Sequence, residues 1–116
     1  MRKTGAPFLL IEDDSNDVLF VQQEFKAAGW SQALKVVSDG IEAVCYLEGT
    51  HGYEDRAQFP LPGVILLDLK MPRFSGFDFL HWLRTQAPHH LHLLPVVVLS
   101  SSNLPEDVLR AYALGV

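Results

Sequence analysis

The sequence predicts an open, doubly wound α/β domain built on a parallel sheet, and three observations carry that expectation. Four short apolar runs, at residues 8–11, 34–37, 64–67 and 96–99, are spaced along the chain, and three of them are almost continuously apolar. Strands buried on both faces of a parallel sheet read this way. The segments between them carry helical spacing and helical punctuation, so strand and helix alternate four times, and right-handed crossovers follow. The length of 116 residues suits one domain around one core, and no internal repeat or low-complexity tract divides it.

The elements follow in order. After the first strand, Ser15 is placed to cap a helix carrying Val18, Val21, Phe25 and Ala28, with Gly29 where a terminating glycine belongs. The second helix is expected from about residue 41 to 47 or 48, with Ile41, Val44 and Cys45 on one face. That face makes Cys45 a small core residue rather than a reactive thiol. Residues 49–63 mix Gly, Pro, His and charge with little periodicity. Such a connection is long for a helix-to-strand loop and is either an ordered functional loop or a flexible one. The third helix follows Gly76 and carries Phe77, Phe79, Leu80, Trp82 and Leu83. Trp82 is one apolar residue more than a one-sided stripe needs, which suits core packing first and a partner interface second. A fourth helix starts near Pro105 and carries Val108, Leu109, Tyr112 and Leu114.

Composition excludes several functions. Hydrophobic residues make up 48% and charged residues 20%, which gives enough apolar surface to fold. Nine Lys and Arg stand against 14 Asp and Glu for a net charge of −5, the wrong sign for nucleic-acid binding by phosphate neutralisation. The single Cys45 forms no internal disulfide, which fits a reducing compartment. The apolar run behind Met1-Arg2-Lys3 meets acids too early for a signal peptide. The later run at 93–99 is broken by Pro95 and falls far short of the ~20 residues that span a bilayer. A cytoplasmic protein with no membrane or nucleic-acid partner is the expectation.

The chemistry is expected beyond the carboxyl ends of the strands, where open α/β sheets gather their functional groups. The first strand ends in Glu12-Asp13-Asp14, the third in Asp68 and the fourth in Ser100. With strand order 2-1-3-4 these groups converge on one pocket. Clustered carboxylates repel one another and call for a cation, and oxygen-only ligands suit Mg²⁺. A carboxylate so neutralised can attack phosphorus to form an acyl phosphate, with the Ser100 hydroxyl placed to hydrogen-bond a phosphoryl oxygen. Asp14 is read differently, as favouring the positive end of the first helix. His51, His81, His89, His90 and His92 lack a neighbouring Cys or acid that would complete a structural zinc pattern, so they are read as solvated.

The segments Leu9-Leu10-Ile11-Glu12-Asp13-Asp14, Asp39-Gly40-Ile41-Glu42-Ala43, Leu66-Leu67-Asp68-Leu69-Lys70-Met71-Pro72, Gly76 and Pro95-Val96-Val97-Val98-Leu99-Ser100 resemble, in order and spacing, the receiver domain of bacterial two-component response regulators. The resemblance covers essentially the whole chain and implies a flavodoxin-like sheet of order 2-1-3-4, with a fifth strand beyond. It implies that Asp68 accepts the phosphoryl group and that Glu12, Asp13, Asp68 and the backbone carbonyl of Lys70 hold Mg²⁺. It further implies that Ser100 couples the phosphoryl group to the fourth helix, and that Met71-Pro72 and Gly76 form the loop over the site. The long 49–63 loop, the Phe77-Asp78-Phe79-Leu80-His81-Trp82-Leu83-Arg84 helix and Ser100-Ser101-Ser102-Asn103 look like single-domain receivers partnered with phytochrome-type sensor histidine kinases.

Family members continue into a fifth strand with an aromatic residue, a Lys-Pro pair and a fifth helix, and no such segment follows Ala113-Leu114-Gly115-Val116. Residues 1–116 are accordingly read as one receiver domain, incomplete at its C-terminal end and belonging to a longer chain. An uncovered fourth strand would offer an apolar edge to another chain, so a homodimer is an expectation. Two rival functions remain at this point: a degenerate receiver acting only as an interaction domain, and a phosphatase with an aspartyl nucleophile. The second wants an Asp two residues after the nucleophile, where Lys70 stands. No glycine-rich turn follows the first strand, which disfavours a nucleotide-binding fold.

Overall fold

The computed structural model describes residues 6–29, 32–68 and 76–99. Within them the order is β1 (Phe8–Ile11), α1 (Ser15–Ala27), β2 (Leu34–Val37), α2 (Gly40–Glu48), β3 (Val64–Leu67), α3 (Gly76–Thr85), a one-turn 3₁₀ helix (His89–Leu91) and β4 (Val96–Val98). The strands form a parallel sheet of order β2-β1-β3-β4, as the sequence predicts. The expected fourth helix at 105–114 lies outside the described residues.

Strand parity divides the sheet into two faces. Leu9, Ile11, Ile65 and Leu67 are fully buried and belong to the main core, together with Ala43, Tyr46 and Leu47 of α2 and Phe79, Leu80 and Leu83 of α3. Phe8, of the opposite parity, meets Phe25 of α1 edge to face with ring centroids 4.9 Å apart. Helices thus lie on both faces, which is why β1 and β3 have no polar side. The faces are covered unequally: α1 has no buried residue, and its Leu19 and Phe20 are exposed.

Three local readings are corrected. Asp14, not Ser15, is the N-cap of α1, its carboxylate accepting from the Asn16 and Asp17 amides. The buried face of α2 is Gly40, Ala43, Tyr46 and Leu47, whereas Ile41 is exposed and Val44 and Cys45 are half-buried. Both stripes have helical spacing, and Tyr46 could join the core because its hydroxyl donates to the Pro60 carbonyl at 2.8 Å. Cys45 is therefore not a core residue, and its Sγ lies 3.6 Å from His51 Nδ1.

The 49–63 segment is ordered, and Arg56 holds it. Its guanidinium donates to the carbonyls of Tyr46 and Leu47 in the last turn of α2 and of Phe59 in the loop, at 2.8 to 3.1 Å. Gly49, at φ +72°, ends α2 in the left-handed region, and a Cβ there would lie 3.0 Å from Arg56 Nη2. Tyr46, Tyr53 and Phe59 pack their rings together beneath this clamp. Trp82 is half-buried against the core and 5.9 Å from Phe79, centroid to centroid.

Candidate functional site

Register builds the acid pocket. Ile11 pairs with Leu67, so the next residue on each strand, Glu12 and Asp68, emerges at the same carboxyl edge. Backbone bonds extend past the strands: Glu12 N–H donates to Val37 O at 3.0 Å, Asp68 N–H to Ile11 O at 3.2 Å, and Leu99 N–H to Leu67 O at 2.7 Å. Glu12 and Asp68 are 4% and 6% exposed, and they are the buried charged side chains among the described residues. Asp13, one residue on, is exposed. One carboxylate oxygen from each of Glu12, Asp13 and Asp68 lies within 4.8 Å of the others.

Burial pushes the Glu12 carboxyl up to about 8, and its hydrogen bond with Asp68 adds to the rise. The Asp14 amide, donating to Glu12 Oε2 at 3.2 Å, works the other way without cancelling it, and the charges of Asp68 and Asp17 reinforce the rise. At neutral pH the pocket without a cation therefore keeps a proton on Glu12. The donor set fits a hard divalent cation: all three groups are carboxylates, closely spaced and two of them withdrawn from water.

The structure brings together Glu12, Asp13 and Asp68, as expected, and gives Asp14 to the cap of α1. Lys70, Met71, Pro72 and Ser100 lie outside the described residues. The residue reading missed a second carboxylate site. Asp39 caps α2 by accepting from the Glu42 amide at 2.7 Å, and Glu42 Oε1 reaches back to the Ser38 amide and hydroxyl. Glu42 Oε2 accepts from the Tyr53 hydroxyl at 2.7 Å. The Asp39-x-x-Glu42 spacing carried a capping-box signal that could have revealed the first half of this network. Nothing local pointed to Tyr53. Glu42, Cys45, His51, Gly52, Tyr53 and Phe59 line an open pocket of about 450 Å³ there.

The response regulator receiver domain model matches residues 8–116. The chain belongs to the response regulator receiver family. The receiver is 36% identical over 108 residues to response regulator Rcp1 of Synechocystis sp., a match covering 93% of this chain and 70% of that one. Among solved structures, the phosphorylated cyanobacterial phytochrome response regulator RcpA superposes with a TM-score of 0.83 at 30% identity, over 97% of the receiver and 77% of that chain. The Mn²⁺-bound form of Rcp1 gives 0.82 at 33% identity, over 97% and 77%. The receiver has the flavodoxin-like fold that its strand order implied. No described helix is long and apolar enough to cross a membrane.

Proposed function

We propose that this receiver takes a phosphoryl group from a sensor histidine kinase onto Asp68, with Mg²⁺ held by Glu12, Asp13, Asp68 and the Lys70 backbone carbonyl. The signal then passes on as a change in its surface. The observation that carries this reading is the convergence of the three carboxylates within 4.8 Å at the ends of β1 and β3. Bound there, Mg²⁺ supplies positive charge that reduces three formal negative charges to one and favours approach of a phosphoryl group.

The chain's own residues do the rest. Asp68 presents an oxygen to phosphorus; a P–O bond forms as the phosphorus–nitrogen bond to the kinase histidine breaks, and the electron pair leaves with the imidazole. Burial favours the proton on Glu12, so binding of the cation there would displace it. The ladder bond from the Asp68 amide to Ile11 fixes the nucleophile on the sheet, and Asp14 is spent on α1 instead of competing for the ion. Ser100, following Leu99, supplies a hydroxyl to a phosphoryl oxygen. The receiver thus assists its own phosphorylation and dephosphorylation and turns over no external substrate. The likeness to a phytochrome response regulator supports a phytochrome-type kinase as the donor, in the cytoplasm.

Incubation of the full-length protein with Mg²⁺ and either acetyl phosphate or a phosphorylated phytochrome-type kinase is expected to add about 80 Da as a hydroxylamine-labile group. Asp68→Asn is expected to abolish that gain. Failure of both donors to label the wild type would favour a receiver that works only as an interaction domain, and sustained turnover of phosphate esters would favour a phosphatase.

A further inference from the structure

We infer that the turn between α3 and β4 is a transition-metal site in which His89 and His92 hold one Ni²⁺, Cu²⁺ or Zn²⁺ ion through their imidazoles. Residues 89–91 form a single turn of 3₁₀ helix, and His92 caps it, its amide donating to the His89 carbonyl. With about three residues per turn, positions i and i+3 of such a helix are eclipsed. His89 and His92 accordingly stand side by side, ring centroids 5.1 Å apart and planes inclined by 54°. Metal–nitrogen bonds of about 2.0–2.1 Å place the ring centres of two imidazoles on one tetrahedral ion about 5 Å apart.

The second ring nitrogen of His92 is already committed. His92 Nε2 lies 2.6 Å from the Ala87 carbonyl oxygen. A carbonyl only accepts, so Nε2 donates, and the neutral ring keeps its Nδ1 lone pair for a ligand. This is the outer-shell arrangement that fixes the tautomer of metal-ligating histidines and raises their basicity. The turn itself is anchored: Leu91 is 2% exposed, and Arg84 Nη1 donates to the His92 and Leu94 carbonyls at 2.8 and 3.0 Å. These histidines looked solvated in the sequence because no Cys or acid completes a zinc pattern near them; the 3₁₀ turn supplies the pairing that an extended backbone would not.

Ligand chemistry separates this site from the acid pocket, since imidazole nitrogen suits Ni²⁺, Cu²⁺ and Zn²⁺ and carboxylate oxygen suits Mg²⁺. The test is a calorimetric titration of the full-length, untagged protein with Ni²⁺ in saturating Mg²⁺. One Ni²⁺ per chain is expected, with affinity at least tenfold weaker in His89→Ala and in His92→Ala. His90→Ala should bind as the wild type does, because the same period turns residue 90 about 120° away. Cys45→Ser should also be unchanged, which separates this site from the Cys45–His51 pair. On the wild type, the Cu²⁺ electron paramagnetic resonance spectrum should show two equatorial imidazole nitrogens, a readout independent of how the variants fold. No Ni²⁺ binding, equal weakening in His90→Ala, loss in Cys45→Ser or a single coordinating nitrogen would each overturn the site.

Discussion

Glu12 sits just beyond β1 and Glu42 in the first turn of α2, yet the protein moves their proton affinities in opposite directions. Burial raises both. Around Glu12 the hydrogen bond with the Asp68 carboxyl adds to the rise, the Asp14 amide offsets only part of it, and the group reaches about 8. Around Glu42, hydrogen bonds from the Ser38 amide, the Tyr53 hydroxyl and the Ser38 hydroxyl outweigh burial, and the carboxyl is held below its ordinary value. The contrast separates a charge that the fold has satisfied from one that it has left for something else to satisfy. Glu42 ties α2 to the 49–63 loop; Glu12, despite the Asp14 amide, shares its pocket with two other carboxylates and gains from a cation.

The largest test sets the two against each other through pH. Because the folded value of Glu12 lies above its ordinary 4.5, its contribution is fully present below pH 4.5 and is lost as pH rises through about 8. Urea unfolding in the presence of a chelator should therefore show stability falling by a few kcal/mol over that window, on the order set by the shift. Mg²⁺ should restore it most strongly at the alkaline end, and Glu12→Gln should flatten the dependence and remove the Mg²⁺ effect.

Glu42 carries the opposite sign: its contribution is present above 4.5 and lost as pH falls through its lowered folded value. Glu42→Ala is expected to cost about 2–3 kcal/mol at pH 7, because it leaves three donors without their acceptor, while Mg²⁺ affinity measured by calorimetry stays as in the wild type. A parallel loss of Mg²⁺ binding would show that the two carboxylates are not independent. The smallest effect is expected from Tyr53→Phe, about 1 kcal/mol in urea unfolding, with the acid limb of the stability profile moving back toward 4.5.

What the sequence made legible is what local chemistry decides. The strands could be read because β1 and β3 are covered on both sides and tolerate no polar residue. The acid cluster could be read because Glu12, Asp13 and Asp68 each follow a strand, so parallel pairing must bring them to one edge. The face of α2 could not, since 41/44/45 and 43/46/47 are both helical stripes, and the choice rests on the distant Pro60 carbonyl that accepts from Tyr46. The order of the 49–63 loop was equally hidden. It depends on one guanidinium reaching three carbonyls, and a lone Arg in a polar stretch carries no sign of that.

The in-register pairing of Ile11 with Leu67 acts as a ruler. Neighbouring strands stand about 4.7–4.9 Å apart, a spacing enforced by backbone hydrogen bonds along the whole ladder. The two buried acids cannot relieve their repulsion by drifting apart without breaking that ladder. Their closeness is thus set by the main chain rather than by side-chain packing. A one-residue insertion within β1 would undo it at once, turning Glu12 to the opposite face and leaving Asp68 without its neighbour.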